Sequence, residues 1–130
     1  MAFSSTLTLD DASGDDISFV LVKTNGDGTS RIDSASTLAL PQSLNIKHSV
    51  TGKGADAVDR HLVQIVKSVS ATPANVQIVG NFTIAVPRNI AVTNALVTDV
   101  ISNICDFLMS GGFTTMAATT NIDALLRGES

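Results

Sequence analysis

Polar and apolar residues alternate along most of the first two-thirds of the chain. From Ser4 to Leu9, Ser5, Leu7 and Leu9 fall on one side and Thr6 and Thr8 on the other, which is the period of a strand. "DDASGDD" supplies turn residues, and Ile17 to Lys23 is a β-branched and aromatic strand. "TNGDGTS" carries Asn25-Gly26 and Asp27-Gly28, a strong short-range hairpin signal. A short strand from Ser30 to Asp33 and a loop from Ser34 to Pro41 follow. Gln42 to Val50 then alternates cleanly, with Leu44, Ile46, His48 and Val50 opposed to Ser43, Asn45, Lys47 and Ser49. After the turn "TGKGADA", Arg60 to Ser68 sets Val63 and Ile65 against Arg60, Gln64 and Ser68, with Leu62 and Val66 blurring the polar side. The last strand, Val76 to Val86, sets Ile78, Phe82, Ile84 and Val86 against Gln77, Val79, Asn81, Thr83 and Ala85.

Past Pro87 the period changes. Leu96, Val97, Val100, Ile101, Ile104, Cys105, Phe107 and Leu108 repeat every 3.6 residues, with Thr98, Asp99, Ser102, Asn103 and Asp106 opposite. Thr93 and Asn94 are good N-caps, and Gly111-Gly112 is a stop. A second short helix is expected from Asn121 to Arg127, capped by Thr120 with Asp123 three residues on. Hairpin-length connections leave no room for crossovers, so the sheet is antiparallel and the class is α+β. The length of 130 residues argues for a single domain, 1–130, with strands over 4–86 and helices over about 93–110 and 120–127.

This pattern raises a covering problem. One face of each strand is apolar and must be buried. Six strands are roughly 25–30 Å wide, whereas one helix is about 10 Å across. One long and one short helix cover such a sheet incompletely. Two copies that lend helices to each other remove the defect, so the pattern predicts a homodimer.

Composition narrows the chemistry. The chain is 44% hydrophobic and 15% charged, too apolar for disorder. No apolar run is long enough to span a membrane, and the N-terminus has no secretory signal pattern. A single cysteine excludes an internal disulfide, and Cys105 sits on the apolar helix stripe. Trp and Tyr are absent, which removes the usual stacking platforms. The net charge of −4 opposes binding to nucleic acid through global charge, but Lys47, Lys53, Arg60 and Lys67 cluster in the middle of the chain. "DDASGDD" reads as a solvated acidic turn; as an EF-hand it fails, because Val22 stands where a bidentate Glu is needed. Neither "GDG" nor "GKG" completes a nucleotide-binding fingerprint. "NFT" matches a glycosylation sequon but falls within a strand. His48 belongs to the apolar side, a core or interface histidine, and His61 has no carboxylate or thiol at a useful spacing. No catalytic set, metal set or cofactor motif emerges, so no enzyme is expected.

Four segments together resemble the coat proteins of single-stranded RNA bacteriophages, the leviviruses. They are "FVLV" before an Asn-Gly turn, "KHSV", the strand start "DRH", and "NFTIAVPRNIAVTN", where a strand runs through proline into a Thr-Asn helix start. Their order covers nearly the whole chain. The resemblance implies an N-terminal β-hairpin, a five-stranded antiparallel sheet and two C-terminal helices that interlock in a homodimer. It implies that dimers build an icosahedral shell, the virion capsid, assembled in the bacterial cytoplasm. The polar sheet face would look inward and bind single-stranded viral RNA, including a stem-loop whose binding represses replicase translation. The inward polar positions fall on Asn45, Lys47, Ser49, Thr51, Arg60, Gln64, Asn81 and Thr83. Lys47 and Arg60 would neutralise phosphates, Asn45, Gln64 and Asn81 would read base edges, and Ser49 and Thr83 would bond bases, sugars or phosphates. The chain departs from the family at Val79, where many relatives place a base-stacking Tyr, at Leu62 and Val66, and in the short connection "SATPAN". The alternative is a non-viral dimeric α+β module that binds a small ligand or a peptide.

Overall fold

The computed structural model describes residues 3–109 and 127. It divides into two units, Met1–Leu9 with Ile17–Asn89 and Asp10–Asp16 with Ile90–Ser130. The strands are β1 (Thr6–Asp10), β2 (Asp16–Asn25), β3 (Gly28–Asp33), β4 (Gln42–Thr51), β5 (Val58–Val69) and β6 (Val76–Pro87). They form one sheet in the order β1-β2-β3-β4-β5-β6, and the registered pairs from β2 to β6 are all antiparallel. Neighbours in sequence are neighbours in space, as short hairpin connections require. The N-terminal strand joins this sheet rather than standing apart from a five-stranded one: β1 adjoins β2, and the Leu21 N–H donates to the Ser5 carbonyl at 2.7 Å.

Two glycines carry backbone that other residues cannot. A Cβ at Gly28 would lie 2.1 Å from the Ile46 carbonyl oxygen, so only glycine lets the start of β3 approach β4 so closely. Gly52, with φ +84°, turns the chain after β4, and a Cβ there would meet the Asp56 carbonyl at 2.9 Å. The Asn-Gly hairpin sits where the sequence places it, with Asn25 paired to Gly28.

Cross-strand partners share a face, so the register assigns every side chain. One face runs Leu44–Ile65, Ile46–Val63 and His48–His61 across β4 and β5, and continues on β6 with Gly80, Phe82 and Ile84. Its buried core is Phe19, Leu44 and Ile46, with Leu7, Ile17 and Ile65 packed against them. Burial fades toward β6, where Val76 and Ile78 are 53% and 62% exposed.

In the second unit, α1 spans Asn94–Leu108. Thr93 caps it, its hydroxyl accepting from the Leu96 N–H. The sequence expects a buried stripe here, but no residue of α1 is buried in the single chain, and Leu96, Val100, Ile104 and Phe107 stand exposed. Their spacing keeps them on one side of the helix. No helix among the described residues is long and apolar enough to cross a membrane. The expected second helix and the Gly111-Gly112 stop lie outside the described residues, apart from Arg127.

Candidate nucleic-acid interface

The opposite sheet face is polar, and the register brings all eight candidate residues onto it. Asn45, Gln64 and Asn81 form one row, and Lys47, Leu62 and Thr83 the next. Ser49 and Arg60 pair in a third row, and Thr51 ends β4 opposite Val58. Alternation on three strands makes this face legible from sequence, although Leu62 and Val66 on β5 and Val79 and Ala85 on β6 also fall on it.

The first row is a chain of side-chain hydrogen bonds across four strands. The Ser30 hydroxyl donates to Asn45 Oδ1 at 2.7 Å, Asn45 Nδ2 donates to Gln64 Oε1 at 3.1 Å, and Gln64 Nε2 donates to Asn81 Oδ1 at 2.9 Å. Each amide oxygen accepts from the strand before, and the Asn45 and Gln64 nitrogens donate to the strand after. This head-to-tail order leaves Asn81 Nδ2 as the terminal donor of the row. Base reading is expected of all three amides, and part of their capacity is spent within the sheet: each oxygen accepts one bond, and the Asn45 and Gln64 nitrogens each donate one. Arg60 is also engaged, its Nε donating to Thr51 Oγ1 at 3.3 Å.

Electrostatics separate this face from the molecule as a whole. The chain carries −4, yet the paired positions of this face hold Lys23, Lys47 and Arg60 and no carboxylate. The midchain basic cluster divides accordingly. Lys67 pairs with Gln42 and Ile78 on the other face, and Lys53 lies in the β4–β5 connection.

Lys23, Asn25 and Ser30 escaped the sequence reading. The β2–β3 register shifts between Leu21 and Lys23, a β-bulge that leaves Val22 unpaired. By plain alternation Lys23 would follow Phe19 and Leu21 onto the buried face. The bulge pairs it with Ser30, and Ser30 with Asn45, on the polar face instead. The signal was a lysine in phase with a run of core residues, a position where an ammonium loses its water. Lys23, Asn25, Gly28, Ser30, Asn45 and Lys47 now line a concavity of about 230 Å³.

On the apolar face, His48 is exposed and its partner is the other histidine. The two Nδ1 atoms lie 2.9 Å apart, so one imidazole donates and the other accepts. Arg31 is 1% exposed, bonded to Thr29 Oγ1 at 2.6 Å and the Ser4 carbonyl at 2.9 Å, so its charge fastens the N-terminal segment to the sheet. In the acidic turn, Asp11 Oδ1 accepts from the Ser13 and Asp15 N–H groups, so this carboxylate serves the loop itself. Among the described residues no group of three or more metal-ligating side chains comes together.

No family model and no curated protein sequence matches the chain. Solved structures do. The bacteriophage EMS014 coat protein superposes with a TM-score of 0.67 at 12% identity, over 91% of this chain and 80% of that one. A virus-like particle of bacteriophage ESE020 gives 0.66 at 14% identity, over 100% and 99% of the two chains. One of Beihai levi-like virus 32 gives 0.64 at 19% identity, over 84% and 83%. The strand order described above thus belongs to a fold shared with a phage coat protein and with virus-like particles of a phage and a levi-like virus.

Proposed function

We propose that the chain is the capsid subunit of a single-stranded RNA bacteriophage, acting as one coat domain over its whole length. Two copies cover each other's exposed apolar surfaces, dimers assemble into an icosahedral shell in the bacterial cytoplasm, and the polar sheet face lines the interior. The observation that carries this reading is the charge of that face: three cations without a carboxylate on an acidic chain, on a fold shared with shell-forming proteins. Lys47 and Arg60 neutralise phosphates, while Ser49, Thr51 and Thr83 bond the sugar-phosphate chain. Selective recognition of a replicase-repressing stem-loop is the narrower form of the reading. It asks Asn81 Nδ2, the free end of the amide row, to carry the base-edge contact.

The test is expression of the chain alone in bacteria. Without Trp or Tyr the protein absorbs very little at 280 nm, so packaged RNA dominates the ultraviolet spectrum. Large particles with a strong 260 nm band are expected; small species free of nucleic acid would overturn the proposal. Lys47→Ala with Arg60→Ala should lower packaged RNA while dimers persist. Val100→Asp with Ile104→Asp should abolish particles, because two carboxylates on the exposed helix stripe cannot be buried unpaired.

A further inference from the structure

We infer that the β-bulge at Val22 builds a phosphate cleft between Lys23 and Lys47, and that this cleft binds the RNA backbone without regard to sequence. The inference rests on the capsid reading, and it adds a residue and a mode of contact that the eight candidate positions do not contain.

Three observations converge on it. The bulge takes Lys23 off the face of Phe19 and sets it on the polar face, paired to Ser30. Gly28 pairs with both Asn25 and Lys47, so the strand between those residues carries no side chain at this row. The gap so left is the concavity of about 230 Å³, with Lys23 and Lys47 among its walls. Substitution of Gly28 cannot fill it, since a Cβ there would run into the Ile46 carbonyl.

The donors fit a phosphodiester better than a base. An ammonium offers three hydrogens and a point charge, with no planar pattern to match a base edge. Asn45, the wall residue best suited to read a base, already accepts from Ser30 and donates to Gln64. Beside the Asn25 amide at the rim, what remains is the charge of Lys23 and Lys47 around a space without a carboxylate. Phosphate contacts position nucleic acid and carry no sequence information.

The test measures binding of a single-stranded oligouridylate and an oligoadenylate to the assembled protein, stripped of RNA, across a range of salt. Wild type, Lys23→Gln, Lys47→Gln and, as a control away from the face, Lys53→Gln are compared. Lys23→Gln should reduce the slope of log affinity against log salt by about 0.7–1, equally for both oligonucleotides, and Lys53→Gln should leave it unchanged. Lys23 lies at the surface, and an unaltered circular dichroism spectrum checks that the variant folds. A wild-type slope near zero would refute the RNA reading itself. A steep wild-type slope that Lys23→Gln leaves intact, or a loss confined to one oligonucleotide, would refute the cleft while sparing that reading.

Discussion

Leu44 and Asn45 are neighbours in the chain and belong to different worlds. Around Asn45, polar side chains satisfy one another across four strands, and that face requires no cover. Around Leu44 the face is buried beside Phe19 and Ile46, but two strands away it opens, with Val76 and Ile78 more than half exposed. Among the described residues, then, this face is finished at one end and bare at the other. On α1, Leu96, Val100 and Ile104 stand exposed as well. The polar face is self-sufficient and the apolar face is not. Under the proposed capsid function, this asymmetry lets a subunit join others through one side and leave the second free.

The sharpest way to break the comparison is to truncate the apolar partner. Leu44→Ala removes a side chain that is 2% exposed, and should cost about 2–5 kcal/mol in urea unfolding. A cost below that of polar substitutions on the other face would mean that the core is not where the sheet draws its stability.

The polar row should respond less. Asn45→Ala removes one accepted and one donated hydrogen bond, each worth about 0.5–1.5 kcal/mol net. A double-mutant cycle of Asn45→Ala with Gln64→Ala should return a coupling of about 0.5–1 kcal/mol. A coupling near zero would show that water replaces these bonds without loss, and that the row is a geometric arrangement without energetic content.

Most of this architecture was legible because alternation is unforgiving: on β4, β5 and β6 one residue of slip would bury Asn45 and expose Leu44. The same rule failed at β2. Alternation hints at an inserted residue only through Lys23 falling in phase with Phe19 and Leu21, and it takes the pairing to locate the bulge at Val22. The Asn-Gly signal located the β2–β3 turn but not its conformation. A type I′ turn needs positive φ at both central residues, and neither Gly26 nor Asp27 has it. Neither His48 nor His61 has a partner within its own segment of sequence. Their meeting is set by the β4–β5 register, which a one-strand reading cannot supply. The amide row was half legible. Three amides on one face were visible, whereas their bonding to each other depended on all three falling in a single register.

The smallest effect lies in the charges, and its sign differs between two acidic sites. Asp59 sits at the end of the apolar face, between Val50 and Val86, and takes two hydrogen bonds from Arg88 at 2.9 and 2.8 Å. Those bonds hold its carboxyl below the ordinary value of 3.8. Its contribution to stability is therefore complete above that value and is lost as pH falls through the lower folded value. Asp10 behaves in the opposite sense. A hydrogen bond with Asp16, then burial and the neighbouring carboxylates, raise its pKa above 3.8. Its ionised form is a small liability at neutral pH, relieved as pH falls through the raised value. Asp10 is solvent-exposed and Asp59 partly so, so the effects should be modest and weakened by salt. Carboxyl titration by carbon-detected NMR should find Asp59 the last of the two to protonate on acidification. Arg88→Gln should return Asp59 toward 3.8, and Asp16→Asn should bring Asp10 down. If Asp59 instead protonates before Asp10, the ion pair does not hold in solution, and the apolar face has no fixed charge at the end of β5.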